Sequence, residues 1–402
     1  MALNLIRNSR VFFTTNLNTN TKAVNSTGFT DTNTFELQVL DGFSFSQNTG
    51  TETITVNEAG SAPVRGQRSF NTSLEPVDWS FSTYVRPKFE EGATSTTALD
   101  ADDYIGAEES VLWNAISGTG DIGATGAGWT NSGTFAPPFS TCAFGNSNAH
   151  QLFAFGLIIL FDDITYVIDN CAVDTATIDF GLDAIATVAW AGKGTTMRSL
   201  PKTTVNSSTG AFTSTGGISG STSKLKDTTA KFIANKLSYL AIASSPNGTY
   251  GGLTATTYTV PITGGSLTIS NNLTYLTPAN LGVVNRPITY FTGTRAITCN
   301  VTAYLKTGSN ESATLLADVL GGSATNVDNM FAITLSLGGN PATATDRVDI
   351  NIPTAMFTIP TINSEQVIST SIDIMPQAYA SGYDLTATNE LTIKYYAANT
   401  TV

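Results

Sequence analysis

The sequence predicts a mainly β protein built from two tandem β-sandwich or barrel-forming domains, each carrying one short α-helix. Three observations predict this. Segments such as FELQVLDGFSFS, LTYLTP, ITYFTG and TYVIDNCAV alternate apolar and polar residues and are rich in Val, Ile, Thr, Tyr and Phe, the pattern of half-buried strands. Segments of the first half recur in order in the second. LIRNSRVFF (5–13) returns as FIANKLSYL (232–240), with Asn8 opposite Asn235; VLDGFSFSQN (39–48) returns as ITGGSLTISN, WSFSTYVRP (79–87) as CNVTAYLKT, SVLWNAISG (110–118) as ATLLADVLG, and LDAIATVAW as SEQVISTSI. The helix candidates, one in each half, fall at matching places in this repeat.

In chain order, the first domain covers residues 1–198. Its helix is expected at 106–118: Glu108 and Glu109 suit the positive end of a helix dipole, Leu112, Trp113 and Ile116 form an apolar stripe, and Gly118 is a natural stop. LFAFGLIILF (152–161) reads as a buried strand, since ten residues followed by two aspartates are too short to span a bilayer as a helix. Residues 199–229 form a Thr/Ser/Gly-rich linker. The second domain covers 230–402, with its helix at 309–321: Ser309 as cap, Leu315, Leu316 and Val319 as the stripe, Gly321 as the stop.

Only 12% of the 402 residues are charged, while 41% are hydrophobic, enough for substantial cores. The net charge of −12 argues against binding phosphates by charge neutralisation, which needs clustered Lys and Arg. Cys142, Cys171 and Cys299 are odd in number and far apart, and read as reduced, buried thiols. The start, MALNLIRNSR, shows no secretion signal.

The motifs of chemistry are decoys. Gly118–Gly123 fits G-x-G-x-x-G, but follows a helix where a dinucleotide loop follows a strand. Asp100, Asp102 and Asp103 resemble the start of a calcium loop, but Ile105 and Val111 stand where Gly and Glu are needed. His150 is the sole histidine. The pairs Glu90–Glu91, Glu108–Glu109 and Asp162–Asp163 are adjacent, so on strands their members point to opposite faces. No catalytic, cofactor or metal residue is assigned, and a non-enzyme is expected.

LIRNSRVFFTT, ITVNEAGSAPVRGQRSFN, LEPVDWSFSTYVRP, ANKLSYL, VPITGGSLTISNNLTYLTP, TGTRAITCNVTAYL and VDINIPTA together resemble the tail tube proteins of large siphophages of the T5 type, over nearly the whole chain. The resemblance implies two tail-tube domains per subunit, trimeric rings of pseudo-six-fold symmetry, and stacking into a hollow tube through which genomic DNA passes during ejection. It implies a place in the virion tail after assembly in the host cytoplasm. The implied partners are further copies of the chain, the tape measure protein and DNA in the lumen, and terminator and tail-tip proteins at the ends; no cofactor is implied. A baseplate hub, a tail terminator ring or a capsid-surface receptor-binding β-protein is the alternative. The family's C-terminal immunoglobulin-like domain has no counterpart before the final Ala-Asn-Thr-Thr-Val, so the outer decoration is expected to be absent. A lumen for DNA is expected to be neutral or acidic, with Glu36, Asp41, Glu52, Asp349 and Asp373 as the candidate wall carboxylates. The loops 49–68 and 271–287 are the candidates for ring-to-ring contact.

Overall fold

A computed structural model describes residues 9–29, 33–40, 42–54, 66–90, 104–107, 109–118, 139–144, 152–161, 164–200, 232–244, 257–323, 330–341, 346–363, 367–378 and 390–397. The first half contains β1 (Arg10–Thr14), β2 (Thr34–Leu37), β3 (Ser44–Ile54), β4 (Arg68–Tyr84), β5 (Pro87–Glu90), β6 (Tyr104–Ala107), α1 (Ser110–Ser117), β7 (Phe139–Phe144), β8 (Phe155–Leu160), β9 (Thr165–Asp179), β10 (Thr187–Gly194) and β11 (Thr196–Leu200). The second half contains β12 (Tyr239–Ser244), β13 (Thr257–Val260), β14 (Ile262–Ser270), β15 (Leu273–Leu276), β16 (Thr289–Thr292), β17 (Ala296–Tyr304), α2 (Ser312–Ser323), β18 (Met330–Leu337), β19 (Arg347–Phe357), β20 (Thr361–Asn363), β21 (Ser369–Pro376) and β22 (Leu391–Tyr396).

The two halves follow one pairing plan. In the first, β2 pairs β1, β1 pairs β8, β8 pairs β9, β9 pairs β10 and β11, β10 pairs β4, and β4 pairs β3. In the second, β13, β12, β18, β19, β21 with β22, β17 and β14 repeat these pairings in the same order, all antiparallel. Registers agree too: Trp190 lies opposite Phe81, and Ile372 opposite Val301. Tyr84 and Tyr304 each end their strand. At 39–48 the structural match slips by one residue. Phe45 faces Trp79 and Leu267 faces Cys299, so Phe45 corresponds to Leu267. A one-residue slip in a strand exchanges its faces, and this register keeps the apolar residues on the core side.

The halves join through β14, which pairs on its second edge with the end of β9: Ser266 faces Asp179, Leu267 faces Ile178 and Thr268 faces Thr177. One eight-stranded sheet results, in the order β3-β4-β10-β9-β14-β17-β21-β20. A second link crosses the halves, β7 to β22. One continuous apolar core spans both halves; it includes Trp79, Trp113, Trp190, Leu267, Val301 and Ile372. A smaller cluster of Phe12, Val24, Phe29, Ile158, Leu160, Val167 and Leu200 lies on the far side of β1 and β8.

Both helices form where the repeat predicts, with shifted ends. Ala107 closes β6, and α1 begins at Ser110. Glu109 is the N-cap residue, and its carboxylate accepts from the Tyr395 hydroxyl and, at 3.4 Å, from the Trp113 indole. Gly118 ends α1 at φ 68°, the left-handed value glycine adopts freely. Gly321 does not stop its helix: α2 runs on to Ser323. At its start Ser312, rather than Ser309, accepts the Lys306 N–H at 2.8 Å and donates to the Tyr304 carbonyl at 2.7 Å. The stripes are buried as expected: Leu112, Trp113 and Ile116 in α1, Leu315, Leu316 and Val319 in α2. The strand expected at 152–161 forms as β8, buried along its length. β11 extends to Leu200, and the remaining linker residues, 201–229, lie outside the described residues.

Candidate functional site: a polar sheet face and two outer edges

Strand alternation divides the eight-stranded sheet into two faces. In β4, Val77, Trp79 and Phe81 are buried, while Asp78, Ser80 and Ser82 point away from the core. The same division continues through Ala189 and Ala191 of β10, Thr175, Thr177 and Asp179 of β9, Ser266, Thr268 and Ser270 of β14, Thr298 and Asn300 of β17, and Ser371 and Asp373 of β21. Cross-strand registers align these residues into rows, one running Ser44-Ser80-Ala191-Thr175-Ser270 and another Asp179-Ser266-Asn300-Asp373. Hydroxyls pair along the rows: Ser44 with Ser80 at 2.9 Å, and Thr177 with Thr268 at 3.1 Å across the join of the halves.

Charge on this face is sparse. Among the described residues of these strand segments it carries Asp78, Asp179, Asp373, Lys193 and, at the β9 bulge, Asp174. Lys193 Nζ lies 3.0 Å from Asp78 Oδ1, so the one cation has a carboxylate beside it.

Of the five carboxylates singled out from sequence, Asp373 is on this face. Glu52 lies on the exposed outer ribbon of β3, opposite Phe70. Asp41 lies outside the described residues. Glu36 and Asp349 are not on any open surface. Glu36 is 7% exposed and accepts from Arg10 Nε and Nη2, each at 2.6 Å; Asp349 is 5% exposed and faces Arg347 at 3.2 Å. A buried carboxylate needs such a partner, and these two are held inside by theirs. Asp78, Asp179 and Lys193 were missed, although alternation against Trp79, Ile178 and Trp190 places them on the outer face. The residues Thr119–Gly123, Glu91, Asp100, Asp102, Asp103, Glu108, His150, Asp162 and Asp163 lie outside the described residues.

Beyond the sheet, β3 and β4 continue as an exposed ribbon. The β15–β16 hairpin meets it through Asn285, which accepts the Leu74 N–H at 2.8 Å and donates to Thr72 O at 3.1 Å. The loop expected at 271–287 thus lies against β4, while residues 55–65 of the loop expected at 49–68 lie outside the described residues. The described ends of the ribbon expose Ile54 and Phe70, and the 271–287 loop exposes Leu281 and Val283. Tyr275 and Tyr290 root the hairpin in the first half: the Tyr275 hydroxyl lies 2.8 Å from the carbonyls of both Asn170 and Lys193, and Tyr290 donates to Leu152 O at 2.9 Å. Burial raises both phenols, Tyr290 to about 12.

Each end of the sheet is a strand with one pairing partner among the described residues, β4 for β3 and β21 for β20. Among the described residues, no group of three or more His, Cys, Asp or Glu side chains could hold a metal ion, and no helix is long and apolar enough to cross a membrane. The fold is that of a mainly β protein with large antiparallel sheets and, among the described residues, two short helices. No model of a known protein family matches the chain. It is similar to the tail tube protein pb6 of Escherichia phage T5, at 33% identity over 376 residues, covering 93% of this chain and 72% of that protein. The chain belongs to the T5-type phage tail tube protein family and is a structural protein of the virion tail.

Proposed function

We propose that three copies of this chain close a ring of six equivalent positions, that rings stack into a hollow tube, and that genomic DNA passes along the polar sheet face. The observation that carries this reading is the repeated pairing plan, with its internal join of β9 to β14. It supports an ancestral tandem duplication, with domains at 1–198 and 230–402. One chain then supplies two neighbouring positions, and three chains supply six. Stacking propagates through the exposed ribbon and hairpin, whose Ile54, Phe70, Leu281 and Val283 are exposed. The tape measure protein occupies the lumen before DNA, terminator and tail-tip proteins close the ends, and assembly takes place in the host cytoplasm without a cofactor.

The polar face suits a wall past which a polyanion slides. Lysine or arginine there would exchange counterions for protein charge at every phosphate contact, and the attraction would accumulate over stacked rings. Hydroxyls and a few carboxylates give no such hold, and the repulsion of the carboxylates is screened beyond about 8–10 Å. The decisive experiment is mass measurement of the smallest assembly together with electron microscopy of the polymer. Three-chain rings and open-ended tubes are expected; a six-chain ring, or a monomer that persists at high concentration, would refute the proposal. Replacing Asp78, Asp179 and Asp373 together by Lys is expected to leave tubes intact but make them retain DNA at low salt; tubes that retain none would refute the sliding mechanism.

A further inference from the structure

The place where the second half docks on the first has an exposed counterpart on the second half. In the first half, Val85 donates to the Ala186 carbonyl at 2.9 Å, and in the second, Leu305 donates to the Ile368 carbonyl at 3.0 Å, so Ala186 and Ile368 are structural equivalents. Over the first-half site lies the segment 232–235. Ala186 donates to Ile233 O at 3.0 Å, Asn235 donates to Ala184 O at 3.1 Å, and the Phe232 ring stands edge-on to Tyr84 at 5.3 Å. Ala186 is 0% exposed as a result, and Ile233 is 1% exposed. At the second-half site nothing lies over the same positions among the described residues: Tyr304 is 45%, Val367 59% and Ile368 47% exposed.

The strand edge beside this site repeats the contrast. β20 pairs with β21 as the end of β9 pairs with β10, with Thr361, Ile362 and Asn363 in the places of Thr177, Ile178 and Asp179. β14 covers the first-half edge; the second-half edge is exposed throughout. The first-half equivalents of the docking elements are β3, in the place of β14, and Leu5-Ile6-Arg7-Asn8, which matches Phe232-Ile233-Ala234-Asn235 in sequence.

We propose that a second copy of this chain docks head-to-tail on the second half, adding β3 to β20 and laying Leu5–Asn8 over Tyr304, Val367 and Ile368. The register follows from the internal join: Ser44 faces Asn363, Phe45 faces Ile362, and Ser46 faces Thr361, the last pair taking the place of the Thr268–Thr177 hydroxyl pair. Pro360 has no N–H to offer, so this junction ends after three residue pairs where the internal one has five. Ile6 enters the apolar site as Ile233 does. The inference rests on the self-assembly proposed above and specifies its contact surface.

The test is oxidative cross-linking of assembled S46C/T361C, read on a denaturing gel without reductant, beside S44C/T361C and the single variants. Directly opposite residues have Cβ atoms about 4.5–5.5 Å apart and diagonal ones about 7–8 Å, so the first pair is expected to give covalent dimers and trimers and the second far fewer. Rings that form without this difference would overturn the proposed interface and leave the ring itself standing. Wild-type protein that forms no ring would overturn both. Independently, I6D is expected to stay folded by near-ultraviolet circular dichroism while ring formation is lost; I6D rings as abundant as wild type would overturn the role of the N-terminal segment.

Discussion

Alkaline pH is expected to unfold this protein through its buried thiols. Cys142, Cys171 and Cys299 are free and buried. Burial pushes Cys142 and Cys299 from the ordinary 9.0 up to about 12, and Cys171 well above its ordinary value. Because the folded values lie above the unfolded ones, the native state holds more protons above pH 9. The stability these thiols contribute is therefore fully present below pH 9 and is lost as pH rises toward 12. Three such groups lower stability by about 4 kcal/mol per pH unit within that window. Above pH 10, Tyr275, Tyr290 and Tyr395, whose phenols burial also raises, add to the loss. Against a typical total of about 5–15 kcal/mol, unfolding is expected near pH 11. The assay is urea titration in reductant at half-unit steps from pH 8 to pH 11, followed by the fluorescence of buried Trp79, Trp113 and Trp190. Stability should be flat to pH 9 and then fall. Cys142→Ala and Cys299→Ala should each remove about a third of the slope between pH 9 and 10, even though each also lowers stability at pH 8 by leaving a cavity. Stability that stays flat to pH 11, or a slope unchanged in both variants, would refute the reasoning.

Other outcomes follow from packing. Trp190 is 1% exposed, stands edge-on to Trp113 at 4.7 Å and donates to Thr83 at 2.9 Å, so Trp190→Ala should cost about 3–5 kcal/mol in chemical denaturation. A Cβ on Gly192 would come within 2.2 Å of the Ala172 carbonyl oxygen and 2.3 Å of the Trp79 ring, whereas on Gly264 the nearest atom is 3.7 Å away. Gly192→Ala should therefore lose about 1–3 kcal/mol and Gly264→Ala much less, measured by thermal melting. Tyr275→Phe removes the hydroxyl shared by two carbonyls and should cost about 1–3 kcal/mol, with hydrogen exchange rising first in the β15–β16 hairpin.

The sequence disclosed what depends on local period. Alternation in VDWSFSTY and TATID and the two apolar helix stripes follow from which residues must share a face. The same period carries a signal about Asp349 that was overlooked: Arg347 and Asp349 are two apart on one strand, so they lie on one side and can pair. For Glu36 the mate, Arg10, comes from another strand, and no local pattern announces it. The same holds for the joins of β9 to β14 and β7 to β22, where the partners are distant in the chain and alternation is satisfied equally by many pairings. The helix ends were legible only to within a few residues, because the deciding caps rely on tertiary contacts, such as that of Glu109 with Tyr395.

The pairing of β7 with β22 also sets a timetable for synthesis. β7 ends at Phe144 and its partner begins at Leu391, with no other partner for β7 among the described residues. At about 5–20 residues per second, a ribosome needs roughly 10–50 s to cover that interval. Throughout it β7 presents an unmatched edge, and the Trp113 indole lacks the Tyr395 hydroxyl that it later meets at 3.0 Å. The nascent chain therefore reaches this pairing only once β22 has left the ribosome, and until then it depends on dilution or a chaperone to keep that edge from a neighbouring polysome's product.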